Sequence, residues 1–310
     1  MATGNSLSTF GAGKVILLGE HSVVYGHPAL AGPLSQGVKA RGVPAKKCQL
    51  VLPSTLSRAQ RTLLLGAFNR AAKLVGEPPV KVSLDPELPL AVGLGSSAAL
   101  SVACARMLLL AAGKAPSSKE AARLAWAMEQ EFHGTPSGVD HTTSAEEQLL
   151  LYRKQPGASS VGKGKTVDSP RALKVVVALA GERSPTKKTV AALRQRQARW
   201  PERYQRIFKE MGKLASEGAK AVEAGDLEAL GDAMNVNQGL LSALGLSSTP
   251  LEEMVYRLRS LGALGAKLTG AGGDGGAVVG LFTDPESAVV QLTRQGVRCF
   301  SSQLAGPRAL

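Results

Sequence analysis

Cysteine and the aromatic residues are scarce in this chain of 310 residues, which has three cysteines and only 4% Phe, Trp and Tyr. An odd number of cysteines leaves at least one thiol unpaired, and Cys48, Cys104 and Cys299 do not have the spacing of metal ligands. We therefore exclude a disulfide-stapled secreted domain, and we expect reduced, buried thiols in a cytoplasmic protein. With so few rings, the core must consist mainly of Leu, Val and Ala.

Long apolar runs and basic blocks are missing as well. The longest apolar run, 98–112, is interrupted by Arg106 and is too short to span a bilayer, and residues 1–21 do not read as a secretory signal. The net charge of +13 favours anionic ligands, although no five basic residues occur in succession. Charge alone does not separate a nucleotide ligand from a nucleic acid.

Helical and strand-like patterns alternate along the whole chain, which predicts an α+β protein. We expect two domains, 1–168 and 169–310, with the polar segment 153–171 as the linker. The expected helices are 57–75, 96–112, 117–132, a helical region up to about 242, a helix from 249, and 284–296. The expected strands are 13–19, short pieces within 27–43, then 80–84, 173–181, 266–270, 276–282 and 297–302.

The segment GLGSSAAL (93–100) places two glycines and two serines where a helix begins. A serine cap in a tight loop would explain this pattern without any ligand. The alternative is an anion site, because the first N–H groups of a helix are unpaired and glycine lets phosphate approach the backbone.

A second glycine-rich segment, KLTGAGGDGGAVVG (267–280), has five glycines within 270–276, between two apolar strands. A hairpin turn needs fewer glycines than this. The backbone of this loop is therefore expected to pack closely against a ligand or against the facing domain, and we favour the ligand.

Two further segments contain charged residues beside turns. Lys14 begins an apolar strand, where a charge is unusual unless it is paired or faces a site, and Glu20 and His21 follow that strand. Glu129 lies late in a predicted helix, and a Gly/Pro turn then leads to Asp140. Asp140 is interpreted either as a site residue or as the cap of the helix that follows it.

Four segments occur in the order known from one enzyme superfamily: KVILLGEHSVVYG (14–26), PLAVGLGSSAAL (89–100), HGTPSGVD (133–140) and KLTGAGGDGGAV (267–278). Together they resemble the signatures of the GHMP kinases, which comprise galactokinase, homoserine kinase, mevalonate kinase and phosphomevalonate kinase. GEHSVVYG, HGTPSGVD and MNVNQGLLSALGLS (234–247) look like the mevalonate kinase branch. A galactokinase would carry an Asp-Tyr-Asn type sequence after its Glu-His.

The resemblance implies a two-domain kinase with ATP bound in the cleft. The N-terminal domain would contain the left-handed βαβ unit shared with a ribosomal protein, and the C-terminal domain would be ferredoxin-like. The resemblance also implies Mg²⁺ as cofactor, ATP and mevalonate as substrates and a homodimer as the assembly, with neither nucleic acid nor membrane as partner. Phosphomevalonate and homoserine stay open as alternative acceptors.

The resemblance further implies roles for individual residues. Asp140 matches the base that accepts the proton of the acceptor hydroxyl, and Lys14 matches the cation paired with it. The implied Mg²⁺ ligands are Glu129 and Ser97, with Ser96 as an alternative to Ser97. The implied phosphate loop consists of Gly93, Leu94, Gly95, Ser96, Ser97 and Ala98.

The acceptor side of the implied site is formed by Glu20, His21 and Thr186, with His21 reaching the carboxylate of the substrate. Pro185 departs from the family pattern, which has Asn at this position before the threonine. A supporting glycine loop, expected to close over the cleft, consists of Gly270, Ala271, Gly272 and Gly273.

A different class of function is indicated by the segment RQRQARWPERYQRIFK (194–209), in which arginines alternate with Trp200, Tyr204 and Phe208. Basic and aromatic residues of this kind are typical of RNA-binding surfaces. However, Trp200, Tyr204, Ile207 and Met211 also have helical spacing, which favours a buried stripe with solvated arginines on the outer face.

Overall fold

Two sheets, each from one half of the chain, form the framework of the protein. We describe it from a computed structural model, which covers residues 6–89, 92–134, 136–154, 162–181 and 186–306. The strands of the first sheet are β1 (Leu7–Leu18), β2 (Pro28–Pro44), β3 (Gln49–Val51), β4 (Val80–Pro86), β5 (Leu150–Arg153) and β6 (Lys163–Thr166). The long strand β2 is central, because it pairs antiparallel with β1, β4 and β5.

Four helices cover the first sheet: α1 (Arg58–Leu74), α2 (Ser96–Ala111), α3 (Ser118–His133) and α4 (Val139–Glu146). α1 begins with a capping box between Ser57 and Gln60, and it connects the parallel strands β3 and β4 in a βαβ unit. α2 is buried on most of its faces, because it packs against β1 on one side and α3 on the other. This packing holds the first turn of α2 in place relative to the end of the sheet.

The second sheet consists of β7 (Leu173–Gly181), β8 (Gly265–Thr269), β9 (Gly275–Phe282) and β10 (Cys299–Ala305). These strands lie in the order β10-β7-β9-β8 and are antiparallel throughout, which is the ferredoxin-like arrangement that the sequence predicted. The accompanying helices are α5 (Thr186–Arg199), α6 (Pro201–Ala224), α7 (Leu227–Ala243), α8 (Thr249–Ser260) and α9 (Glu286–Arg294). The α+β prediction is thus confirmed.

One apolar cluster joins the two halves of the chain. It combines Val15 and Leu17 of β1 with Val175 of β7 and with Leu214 and Leu230 of α6 and α7, all of them buried. The end of β1 is therefore held against the second sheet. The predicted boundary at 168 and 169 falls between β6 and β7 and stays a prediction.

The prediction of short strand pieces within 27–43 is wrong, because β2 runs through this region without a break. Its glycines mark places where other atoms come very close. A Cβ on Gly37 would overlap the Gly11 carbonyl oxygen, and a Cβ on Gly42 would overlap the Met107 sulfur. These glycines permit dense packing rather than interrupting the strand.

The predicted linker is wrong in part, since Lys163–Thr166 forms the strand β6 beside β5. Residues 155–161 of the same segment lie outside the described part of the chain. The three cysteines are free thiols, but only Cys104 is fully buried, so the prediction of burial is wrong for Cys48 and Cys299. Within the described residues, no helix combines the length and apolar character required to cross a membrane.

The stripe predicted on α6 is buried in part: Tyr204 and Met211 are in the core, whereas Ile207 is only half-buried and Phe208, which the spacing did not select, is buried. Phe208 also stacks on Tyr25, with ring centroids 4.4 Å apart. Trp200 departs from the prediction: it precedes the first turn of α6, is 38% exposed, and has the guanidinium of Arg199 4.5 Å from its ring centre. Helical spacing does not bury a residue that lies before the helix.

The contact between α2 and β1 generates a stability prediction. A Cβ on Gly11 would overlap the Ala99 carbonyl oxygen of α2, whereas Gly66 of α1 has open space around it. We expect Gly11→Ala to lower the free energy of unfolding by about 1–3 kcal/mol through overpacking. Gly66→Ala is the control and should raise it by about 0.5–1 kcal/mol through helix propensity. Urea denaturation measures both; equal stability of the two variants would contradict the packing argument.

Candidate active site

A cavity of about 480 Å³ opens where the end of β1, the start of α2, the start of α4 and the loop after β8 meet. Its apolar lining residues include Val23, Val24, Leu56, Leu63, Leu64, Phe132, Val139 and Val190. Its polar lining residues include Lys14, Glu20, His21, Ser96, Ser97, His133, Ser137 and Asp140. A pocket that combines apolar lining with convergent polar groups is the usual form of a small-molecule site.

Lys14 and Asp140 form an ion pair in this cavity, with 3.1 Å between Nζ and Oδ1. The Lys14 side chain is 3% exposed and that of Asp140 is 36% exposed, so the carboxylate faces the open space. Lys14 also donates to the Gly93 carbonyl oxygen at 3.3 Å. The structure brings these residues together although β1 and α4 are far apart in the sequence.

The cap interpretation of Asp140 is wrong. Gly138 is the N-cap of α4, and Asp140 lies in the first turn, where its negative charge faces the positive end of a short helix. Gly138 has a φ of 95°, a conformation open to glycine and strained for other residues. The Gly-Val-Asp sequence thus turns the chain so that Asp140 reaches Lys14.

The predicted phosphate loop lies directly beside this pair. Gly95 is the N-cap of α2 and makes no side-chain cap, so the first N–H groups of the helix are not closed off by a capping side chain. A Cβ on Gly95 would lie 2.7 Å from the Lys14 Cγ, and the Lys14 backbone N–H donates to the Leu94 carbonyl oxygen at 3.0 Å. Leu94 and Ala98, which belong to the same loop, have buried side chains.

The loop after β8 is in close backbone contact with the predicted phosphate loop, because a Cβ on Gly270 would come within 2.6 Å of the Gly93 Cα. Gly270 and Ala271 line the cavity. Gly272 and Gly273 lie elsewhere: a Cβ on Gly272 would overlap the Leu246 carbonyl oxygen, and the Gly273 N–H donates to that oxygen. The supporting glycine loop therefore has two parts. Gly270 and Ala271 lie at the cavity, and Gly272 and Gly273 lie against the segment that follows α7.

The Glu129 side chain of α3 is buried against the first turns of α2. Its carboxylate accepts hydrogen bonds from Ser101 at 2.9 Å and from Ser97 at 3.4 Å. Burial raises the pKa of Glu129 to about 8, the Ser101 hydrogen bond opposes this shift, and the nearby Asp140 carboxylate adds to it. The Ser97 hydroxyl also lies 3.2 Å from the His133 Nε2. Ser97 and Ser101 of α2 thus both have their hydroxyls beside Glu129.

Glu20 and His21 lie at the end of β1, where the chain turns. The His21 Nε2 lies 3.1 Å from the Ala271 carbonyl oxygen. Burial lowers the pKa of His21 to about 4, so the ring is neutral at pH 7. Both Glu20 carboxylate oxygens are already engaged, by Lys267 and by Asn237.

Thr186 is the first residue of α5, and its side chain lies outside the described part of the chain. Its position is one turn before Val190, which lines the cavity.

Sequence reasoning overlooked three residues here, two of which have a signal in the chain. His133 follows Glu129 at i+4, a spacing that places both on one face of α3. Lys267 is a charged residue in an apolar strand, the same argument that selected Lys14. Ser101 has no signal, because a serine inside an Ala-rich helix is common.

Comparison with known proteins agrees with this geometry. Residues 62–147 match the family model for the GHMP kinases N terminal domain, and residues 219–297 match the model for GHMP kinases C terminal. The mevalonate kinase of Pyrococcus furiosus is 36% identical over 91% of this chain and 90% of its own. That of Aeropyrum pernix is 34% identical over 88% of each chain.

Solved structures resemble the whole chain as well. The crystal structure of L. major mevalonate kinase in complex with R-mevalonate superposes with a TM-score of 0.84 at 27% identity, covering 99% of each chain. Matches of this extent include both sheets and every segment that lines the cavity. The chain belongs to the GHMP kinase family.

Proposed function

We propose that the protein is a mevalonate kinase, which transfers the γ-phosphoryl group of ATP to the primary hydroxyl of mevalonate. The observation that carries this proposal is the Lys14–Asp140 ion pair, placed in a cavity beside the start of α2. The likeness to the mevalonate kinase of Pyrococcus furiosus over 91% of the chain supports mevalonate as the acceptor.

Asp140 is the proposed base. As the acceptor oxygen forms its bond to the γ-phosphorus, its proton passes to the Asp140 carboxylate, the bond to the leaving oxygen breaks, and ADP departs. Lys14 pairs with this carboxylate and places a positive charge beside the transferred phosphoryl group. The partial exposure of Asp140 supports this role, since the base must reach the substrate.

ATP is the proposed donor, with its phosphates at the loop 93–98. Two features support this assignment: the start of the 16-residue helix α2 has no capping side chain, and Gly93, Gly95, Ser96 and Ser97 line the cavity. The apolar lining residues of α1, together with Phe132, offer contacts to the nucleoside.

Mg²⁺ is the proposed cofactor, and the residues present fit it. Carboxylate and hydroxyl oxygens are the donors this ion prefers, and Glu129 and Ser97 would hold it together with phosphate oxygens. The raised pKa of Glu129 marks a buried carboxylate that a nearby cation would stabilise in its charged form. When bound, the ion supplies charge neutralisation and orientation to the phosphates.

His21 is proposed to contact the acceptor through Nδ1. Because the Ala271 carbonyl can only accept a hydrogen bond, Nε2 carries the proton in the neutral ring, and Nδ1 is then an acceptor. This tautomer suits a substrate hydroxyl better than a carboxylate. Thr186 stays a proposed substrate contact on the basis of its position on α5.

The cytoplasm is the compartment that we propose for the reaction. The free state of the three cysteines supports this assignment, since cytosolic thiols are kept reduced.

The first prediction tests the acceptor. ATP-dependent phosphorylation is measured with mevalonate, phosphomevalonate, homoserine and galactose, and mevalonate should give a kcat/KM at least about 100-fold above the others, as expected when a site pairs the hydroxyls of only one substrate. A preference for another acceptor would overturn the choice of mevalonate and leave the kinase assignment standing.

The second prediction concerns the metal. Glu129→Gln should raise the Mg²⁺ concentration needed for half-maximal rate by about 10-fold or more, because a neutral amide is a poorer ligand than a carboxylate. Direct Mn²⁺ binding in the presence of ATP should weaken in parallel. The matched control is Glu131→Gln, on the same helix but exposed and paired with Arg70. An unchanged Mg²⁺ titration in Glu129→Gln would make Glu129 a structural residue.

The third prediction concerns the base. Asp140→Asn should lower kcat by about two orders of magnitude or more, the usual scale for general base catalysis, while ATP binding stays within a factor of two. Lys14→Met should act similarly, and the double variant should lose less than the product of the two losses, because the pair acts as a unit.

Glu146→Gln, at the far end of α4, is the control for the base. Near-normal kcat in Asp140→Asn, with ATP still bound, would refute the assignment of Asp140 and with it that of Lys14.

A further inference from the structure

Lys267 forms a buried ion pair that the proposed chemistry does not use. It lies on β8 with 0% exposure, and its Nζ contacts the carboxylate of Glu20, which is 1% exposed. The same nitrogen donates to the carbonyl oxygens of Ile16 and Leu268, so that its three N–H bonds have three acceptors. The Asn237 side chain of α7 donates to the second Glu20 oxygen at 3.0 Å.

This cluster is poorly explained by stability alone. Burial lowers the pKa of Lys267, and the positive charge of Lys14 lowers it further. The Glu20 carboxylate is the partner of opposite charge. Removing two charges from water costs several kcal/mol per ion, and apolar residues of similar volume are often at least as stabilising. A buried charged cluster at the junction of β1, β8 and α7 therefore calls for another explanation.

The residue after Glu20 supplies that explanation. His21 has a φ of 58° and a ψ of −45°, a conformation that side-chain-bearing residues rarely adopt. Such a conformation persists only where the surroundings hold it, and it tends to occur at functional sites. His21 is held on one side by the Ala271 carbonyl and on the other by Glu20, which is bound to Lys267 and Asn237.

Thr269, two residues after Lys267, extends the same contact. Its hydroxyl accepts from the Ile16 N–H at 3.0 Å and lies 3.3 Å from the Ile16 carbonyl oxygen. β8 is thereby bound to the end of β1 through two side chains, immediately before the loop that reaches Gly93. The end of β1 and the supporting glycine loop are consequently located by the same strand.

We propose that Lys267, with Asn237, is a positioning residue that clamps Glu20 and so holds His21 in the strained conformation facing the acceptor substrate. Glu20 is then an internal counter-ion rather than a substrate contact. This inference rests on the proposed function in one respect only, namely that the molecule at His21 is the phosphoryl acceptor.

The test removes both charges together, in the variant Glu20→Gln/Lys267→Met, so that no unpaired charge stays buried. We expect a folded protein whose KM for the acceptor rises about 10-fold or more, while KM for ATP changes less than 2-fold. In a His21→Ala background the same pair of substitutions should change the acceptor KM less than 2-fold, because the clamp acts through His21. The matched control is Lys39→Met/Glu87→Gln, which removes an exposed ion pair and should leave both KM values unchanged.

A second variant, Asn237→Leu, removes only the hydrogen bond to Glu20 and adds no buried charge. It should raise the acceptor KM about 3-fold with the same selectivity over ATP, and it keeps the test decisive if the double variant does not fold. Equal shifts in both KM values, a lowered melting temperature with unchanged KM values, or full additivity with His21→Ala would each overturn the proposal.

The experiments distinguish an error in the proposed function from an error in the clamp proposal. If the proposed function is wrong, the wild-type protein prefers another acceptor in the panel, and the clamp is then tested with that acceptor.

Discussion

The cavity depends on a backbone-to-backbone contact between two glycine-rich loops. Gly270, in the loop after β8, lies against Gly93, in the loop before α2, and a methyl group on either residue would force the loops apart. The Lys14 side chain lies beside this contact, since it passes over the Cα of Gly95. The two loops thus approach more closely here than side-chain-bearing residues would allow, and the start of α2, which has no capping side chain, lies next to the buried Lys14 side chain.

Buried charge is concentrated around this contact. Lys14, Glu20, Glu129 and Lys267 are all almost inaccessible to solvent, although burying a charge is costly without a partner. Each of them has a partner of opposite charge or a hydrogen-bond donor, and the arrangement leaves the Asp140 carboxylate partly exposed at the cavity. A site organised in this way has its charges in place before the substrates arrive, which is the main requirement of phosphoryl transfer.

Sequence patterns located most helices and strands, because periodicity and capping are local properties. Predictions from these patterns were wrong where the role of a residue depends on which atoms from elsewhere in the chain pack against it. Gly37 and Gly42 resemble strand breaks in the sequence, yet they are sites of close approach inside one long strand. Trp200 has the spacing of a buried stripe but lies before the helix begins, and Asp140 resembles a helix cap although Gly138 has that position.

The motifs alone identified the family and indicated a phosphate loop and a candidate base, because the glycines and charges of a phosphoryl-transfer site must occur in recognisable local order. The pairings were decided by the fold. Lys267 and Glu20 are 247 residues apart, and their contact depends on how β8 packs on the end of β1. Local sequence therefore carries the candidate reacting groups. Long-range packing of the two sheets determines how they are paired. Glu20, for example, lines the cavity yet has both carboxylate oxygens bound within the protein, because burial and ion pairing are properties of surfaces that meet only after folding.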